Sequence, residues 1–207
     1  MKKSIFAAIL ASVFLFATGA RADVDVAKAD AFVQKVTNEG IEDIINADVP
    51  QKVKDERFEK LFNSALDLDF IGQFVLGRYW KTATPEQRKA FIKVYRELNV
   101  KTWSARFDEF KGKSFKFVGS TPSNSKNQVF INSTVAMGEG EPAKVVWRVK
   151  QTGSTFKIVD IIIENVSLAI TARNEYSAFI KNNAGGIDAL IADLQKKVKA
   201  PVKPAGK

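Results

Sequence analysis

Residues 145–163 read Val145-Val146-Trp147-Arg148-Val149-Lys150-Gln151-Thr152-Gly153-Ser154-Thr155-Phe156-Lys157-Ile158-Val159-Asp160-Ile161-Ile162-Ile163, and this stretch decides the fold. In its first half Val145, Trp147 and Val149 alternate with Lys144, Val146, Arg148 and Lys150. That period of two belongs to a strand with one buried face. Thr152-Gly153-Ser154 supplies a turn, and a second apolar run follows from Phe156. Two such runs joined by a short turn containing Gly predict an antiparallel hairpin. Near its end the second strand is apolar on both sides, with Val159, Ile161 and Ile163 against Ile158 and Ile162. Such a strand is expected to be central and covered on both faces. Working upstream, residues 127–137 place Val129, Ile131, Val135 and Met137 on one face, and Gly138-Glu139-Gly140 makes the next turn. Residues 114–119 form the first of four strands, spanning 114–119, 127–137, 143–152 and 155–165.

On either side of these strands the period lengthens to that of a helix. Val26, Ala29, Val33, Val36, Ile41, Ile44 and Ile45 predict an amphipathic helix over 25–46. A second stretch from Pro50 aligns Phe58, Leu61, Phe62, Ala65 and Leu66 on one side, and 67–78 carries Phe70, Ile71, Phe74, Val75 and Leu76. Thr84-Pro85-Glu86-Gln87 is a start signal, with Thr84 as cap, Pro85 in the first turn and Gln87 closing a capping box. The helix it opens is expected to run to Phe110 and stop at Gly112. It has two apolar stripes, Phe91-Val94-Leu98-Thr102-Ala105 and Ile92-Tyr95-Trp103-Phe110, so it must cover more than one neighbour. Two further helices, 166–182 and 186–198, flank Gly185-Gly186. The order helices, strands, helices, without repeat or linker, predicts one α+β domain over 23–198. The Pro-containing basic residues 199–207 are expected to form a disordered tail.

The first 22 residues stand apart. Lys2 and Lys3 precede an apolar run, Ile5 to Ala17, broken only by Ser12, and Ala20-Arg21-Ala22 offers small residues where a signal peptidase reads. This is the pattern of a secretory signal cleaved after Ala22, too short for a membrane span. The mature chain of 185 residues is long enough for a core of its own. Without Lys2, Lys3 and Arg21, the 32 cations fall to 29 against 23 acids, a net charge of about +6. An exported basic chain meets acidic protein surfaces or anionic headgroups rather than nucleic acid; near such headgroups each cation adds about 1 kcal/mol. The chain has no Cys and no His. That excludes a disulfide framework, a Cys or His zinc site, a Ser-His-Asp triad and a Cys nucleophile. Carboxylate, Lys and Tyr chemistry remain open.

Three stretches carry a resemblance. They are Phe74-Val75-Leu76-Gly77-Arg78-Tyr79-Trp80 running into Ala83-Thr84-Pro85-Glu86-Gln87-Arg88 and Phe91; Asp160-Ile161-Ile162-Ile163-Glu164-Asn165-Val166-Ser167-Leu168 followed by Arg173-Asn174-Glu175-Tyr176; and Gly185-Gly186-Ile187-Asp188-Ala189-Leu190. In this combination and order the chain resembles the MlaC family, the periplasmic lipid-binding component of the Mla pathway, known also as toluene-tolerance proteins. The resemblance covers essentially the whole chain. One departure is Asn165, where the family usually has Gly. The resemblance implies a twisted four-stranded, largely antiparallel sheet wrapped by N- and C-terminal helices, with an apolar lipid cavity between sheet and helices. It implies a carrier without catalysis or cofactor. Such a carrier shuttles phospholipid between an outer-membrane Mla lipoprotein complex and an inner-membrane Mla ABC transporter complex and so maintains lipid asymmetry. Related proteins are associated with hopanoid pathways, so a hopanoid is an alternative cargo.

The energetics suit a carrier. Two acyl chains hold about 30 methylenes, and at roughly 0.8 kcal/mol each some 24 kcal/mol of exposure is avoided by an apolar cavity. The chain has 16 Phe and 3 Trp, three of the Phe in the signal. Candidate lining residues are those that helices and sheet turn toward each other: Phe70, Phe74, Val75, Trp80, Phe91, Tyr95, Leu98 and Trp103 from the helices, Val135, Val145, Trp147, Val149, Ile161 and Ile163 from the sheet, and Val166 and Ala169 at the end. Any one of them, taken singly, fits an ordinary core better, since apolar stripes are usually core; the resemblance bears on the group. Arg78, Lys81 and Arg148 are candidates for the phosphate, since Arg grips phosphate through paired hydrogen bonds. Asp67 and Asp69, two apart on a helix, do not face each other and suit capping better than acid–base work. Glu164 and Glu175 are candidates to pair with Arg173. The chain is expected to act as a monomer and to bind no metal. Two other readings compete. One is a carboxylate/Tyr enzyme in a cone-shaped α+β fold, which needs an Asp beside Tyr79 or Tyr95 in the cavity. The other is an envelope adaptor with a solid core.

Overall fold

Four long antiparallel strands form where the period of two predicts them. They are β1 (Phe115–Pro122), β2 (Gln128–Val135), β3 (Ala143–Thr152) and β4 (Thr155–Ile163), in a computed structural model that describes residues 23–138 and 140–201. The predicted signal, Met1–Ala22, lies outside the described residues, as do positions 202–207 of the predicted tail. The strands lie side by side in chain order, and a fifth, β5 (Val166–Ser167), pairs with Ile162 and Ile163. The count of four is thus corrected to five, because two residues carry no periodicity to read. Between β4 and β5 the chain turns through Glu164 (φ 48°) and Asn165 (φ 66°). Asn is among the non-glycine residues that occupy this left-handed region most readily, so the turn closes without the usual Gly.

The alternation of the second strand breaks at one place. Val149 lies opposite Ile158 and Arg148 opposite Asp160, so β4 carries one extra residue, Val159, against β3. Such a bulge changes which side chains share a face. Ile158 therefore joins Ile161 and Ile163 on the side lined by Val145 and Trp147.

The helices are α1 (Val26–Asn38), α2 (Gln51–Ala65), α3 (Leu68–Leu76), α4 (Arg78–Thr82), α5 (Pro85–Ser104), α6 (Phe107–Phe110), α7 (Leu168–Asn182) and α8 (Gly186–Lys199). The helix predicted over 25–46 is regular only as far as Asn38; Glu39–Ile45 continues it as a wider π-helical turn that buries Ile41, Ile44 and Ile45. The predicted helix to Phe110 stops at Ser104. Ala105 (ψ −9°) and Arg106 (φ −109°, ψ 8°) leave helical geometry, and α6 restarts with Phe107 packed among those isoleucines. At the start of α5 the capping box forms as read: Thr84 Oγ1 accepts from Gln87 N (3.2 Å) and Gln87 Oε1 from Thr84 N (3.0 Å). Asp67 caps α3 by accepting from Phe70 N (3.1 Å), and it pairs with Lys150 at 3.1 Å. Glu164 accepts from the Lys144 backbone, and Arg173 lies over Phe74 instead of pairing with either glutamate. α8 runs through Lys199, one residue into the stretch assigned to the tail.

Two cores result. One joins α3, α5, α7 and α8 around Leu76, Phe91, Val94, Leu190 and Leu194. The other lies between α1 and the sheet, where Ala29 and Val33 meet Val129, Ile131 and Val149. Among the described residues no helix is long and apolar enough to cross a membrane. In the helical core Tyr95 stacks on Phe91 (5.7 Å) and meets the edge of Tyr176 (6.4 Å). Burial first, and the charge of Asp160 second, push the Tyr95 phenol up to about 12; burial also raises Tyr176. The folded chain keeps these phenols neutral, so above pH 10 the unfolded chain sheds protons first and stability falls as pH rises toward about 12. Denaturant unfolding at stepped pH is expected to show that decline, and Tyr95→Phe to flatten part of it; an unchanged slope contradicts the burial argument.

Candidate functional site

The apolar face of β2–β4 is longer than the helix that covers it. At one end α1 closes it. At the other, β1 supplies Phe115, β2 Val135, β3 Val145 and Trp147, and β4 Ile158, Ile161 and Ile163 to the wall of a cavity of about 310 Å³. The opposite wall is α2, whose stripe Phe58, Leu61, Phe62, Ala65 and Leu66 faces inward, with Ile41 and Ile45 of the π-helical turn beside it. Trp103, Arg106, Phe107 and Phe110 close a third side. Met137, 39% exposed, also borders the space, which is therefore not sealed from solvent.

The polar groups of this wall are occupied elsewhere. Trp147 Nε1 donates to Ser133 Oγ (2.9 Å), and Ser133 Oγ donates to Val145 O (2.8 Å), so the indole presents no unmet donor. Thr37 Oγ1 donates back to its own helix, 3.0 Å from Val33 O. Among the described residues Arg106 is the one charged residue of the lining. Its Nε lies 3.1 Å from both Glu109 carboxylate oxygens and its Nη2 2.8 Å from Oε2, while the guanidinium sits 5.4 Å from the centre of the Trp103 ring. The hydrogen bonds from Arg106 hold the Glu109 carboxyl below its usual range and raise Arg106 in return. Among the described residues no carboxylate lines the cavity. Asp160 and Tyr95 border a separate recess of about 40 Å³ that shares Phe62, Leu66, Trp103, Ile158 and Ile161 with it. Asp160 is committed there: Oδ2 accepts from Ser167 Oγ (2.6 Å) and Oδ1 from Ala169 N (3.1 Å), tying β4 to the start of α7. Among the described residues no group of three or more Asp, Glu, His or Cys is gathered to hold a metal.

Of the candidate lining residues, the structure brings together Trp103, Val135, Val145, Trp147, Ile161 and Ile163. Tyr95 and Ala169 border the small recess. Val75, Phe91, Phe74 and Leu98 belong to the helical core, because that stripe of α5 faces α3, α7 and α8; only its last turn reaches the cavity. Phe70 lies under Lys150 (4.3 Å), and Trp80 under Arg88 (5.2 Å), both outside the cavity. Val149 lies in the closed core beneath α1, and Val166 is 55% exposed on β5. The phosphate candidates also fall elsewhere. Alternation sends Arg148 to the far side of β3 from Trp147, where it bonds Gln128 (2.7 Å), and Arg78 and Lys81 stand exposed on α4. The sequence reading did not place the α2 stripe in the cavity, although its i, i+3, i+4, i+7, i+8 spacing was legible. Arg106 it missed altogether, since no periodicity marks a residue at a helix break.

The sequence profile of the family described as MlaC protein matches residues 34–196. The chain belongs to the MlaC family. The match runs from α1 into α8 and spans every residue that lines the cavity. Among curated proteins, the chain is similar to the intermembrane phospholipid transport system binding protein MlaC of Haemophilus influenzae. The two are 22% identical over 140 residues, which is 66% of this chain and 64% of that protein. Among solved structures, it is similar to the phospholipid-binding protein of Ralstonia solanacearum in complex with a phospholipid. There the TM-score is 0.72 and the identity 22%, over 83% of this chain and 97% of that one. This likeness establishes the shared α+β fold.

Ser133→Ala removes the acceptor of the Trp147 indole while leaving the cavity apolar. It is expected to cost about 1–3 kcal/mol in denaturant unfolding, the penalty of a buried donor left unpaired; a change near zero contradicts the role assigned to this hydrogen bond.

Proposed function

We propose that this protein is a periplasmic phospholipid carrier that shields acyl chains in the cavity between α2 and the sheet and shuttles lipid between the outer-membrane and inner-membrane Mla complexes. The observation that carries this reading is the cavity itself: about 310 Å³, walled by aromatic and aliphatic side chains, with one charged residue among the described residues, in a chain of the MlaC family. A site of this volume falls at the lower end of the ordinary ligand range. An open apolar void in water is unfavourable, and hydrocarbon is the chemistry that fits it. The names of the two similar proteins, one in phospholipid transport and one solved with a phospholipid bound, point the same way. The signal-like N-terminus supports a periplasmic location. The basic mature chain suits docking to acidic partners or anionic membrane surfaces. A hopanoid would meet the same apolar walls and differs in lacking a phosphate.

The carboxylate/Tyr enzyme reading has less to stand on. Asp160 and Tyr95 are neighbours, but the carboxylate is spent on Ser167 and the α7 backbone, and neither residue lines the larger cavity.

Protein purified gently from cells and extracted for mass spectrometry is expected to yield phospholipid at close to stoichiometric amounts. Ala65→Phe, which thrusts a ring into the cavity from α2, is expected to fold, with an overpacking cost of at most about 1–3 kcal/mol, and to lose at least tenfold of that lipid. An empty wild-type protein that cannot be loaded, or an undiminished lipid content in Ala65→Phe, overturns the assignment.

A further inference from the structure

We propose that Arg106 is the headgroup site of this cavity, gripping the phosphate of a bound phospholipid through the edge of its guanidinium that Glu109 leaves open. The inference rests on the carrier reading and adds to it a residue and a selectivity. A guanidinium has five N–H donors in a rigid fork. Glu109 takes Nε and one side of Nη2. Among the described residues Nη1 has no hydrogen-bond partner, so Nη1 and the remaining N–H of Nη2 form a second, parallel pair. That pair matches two oxygens of a phosphate, the geometry for which Arg is better suited than Lys.

Three features make Arg106 more than a surface charge paired along its own helix. Among the described residues it is the one charged residue of the wall, so a lipid whose tails fill the cavity meets it as the cation at that wall. It is held from two sides, by Glu109 and by the face of Trp103, which itself lines the cavity. Its position follows from the break between α5 and α6, which ends the helix at Ser104 and turns Phe107 inward. The other cations raised for this role, Arg78, Lys81 and Arg148, do not border the cavity. Glu109 is a positioning residue: it fixes the fork by one edge and leaves the other for the ligand.

The test uses the mature full chain, stripped of lipid and equilibrated with vesicles holding equal amounts of phosphatidylglycerol and of diacylglycerol with the same acyl chains. Bound lipid is then measured by mass spectrometry. Wild type is expected to favour the phospholipid. Arg106→Gln is expected to lower that preference about tenfold with its melting temperature near that of wild type, and Arg106→Lys to restore only part of it. An Arg106→Gln protein with undiminished preference overturns the proposal. If Arg106→Gln does not fold, the Arg106→Lys protein decides by the same measure, full preference overturning it. Failure of any form to take up either lipid overturns the carrier reading instead. A second arm follows the Arg106 Nη1–H resonance, at the edge that Glu109 leaves open. It is expected to shift with phospholipid and to stay put with inorganic phosphate alone; an equal shift with inorganic phosphate reassigns the site to the free anion and overturns the headgroup role.

Discussion

The apolar face of the sheet is larger than any one helix can cover, and the rest of the structure follows from how that face is shared out. α1 covers the portion around Val129, Ile131 and Val149 tightly enough to close it. The portion around Val135, Val145, Trp147 and Ile163 faces α2 across a gap. The bulge at Val159 enlarges the exposed share, because it swings Ile158 onto the same side as Ile161 and Ile163. Left to water, such a gap forfeits the burial and the packing contacts that its apolar walls would otherwise gain. An occupant of hydrocarbon recovers much of that, so the cavity and the proposed lipid cargo are two sides of one constraint.

The cost is tolerable because stability is anchored elsewhere. Leu76, Phe91, Val94, Leu190 and Leu194 close a helical core in which α5 packs against α3 and α8, away from the gap. Asp160 is the joint between the two halves, with its carboxylate fixing the first turn of α7 to β4. The long helix α5 serves both regions. Most of its length belongs to the closed core, and its last turn delivers Trp103 to the cavity. Its interruption at Ala105-Arg106 lets α6 fold back over Ile41, Ile44 and Ile45 and sets a single charge at the cavity wall.

Much of the fold was legible because its signals are local. Alternation marked the four long strands, the Thr84 capping box marked the start of α5, and Asp67 behaved as the cap its spacing suggested. What was not legible was which neighbour each apolar stripe meets. Phe91, Tyr95 and Leu98 carry the same pattern whether they face a lipid or another helix, and partner choice is a matter of long-range topology. Val159 could not be read as a bulge, since a run of β-branched residues alternates equally well in either register. Arg106 carried no periodic signal because it sits where periodicity fails. The sheet half of the cavity was thus foreseen at Val135, Val145, Trp147, Ile161 and Ile163, while the α2 half was read as a stripe but not given its role.

The claim that hydrocarbon lies between α2 and the sheet, and nowhere else, is tested most directly by nuclear Overhauser contacts from a phospholipid with isotope-labelled acyl chains. The account predicts contacts from the chain methylenes to the methyl groups of Leu61, Val145 and Ile161, and none to Leu76, Val94 or Leu190. Contacts to the helical core instead, or a labelled lipid that touches neither wall of the gap, would contradict it.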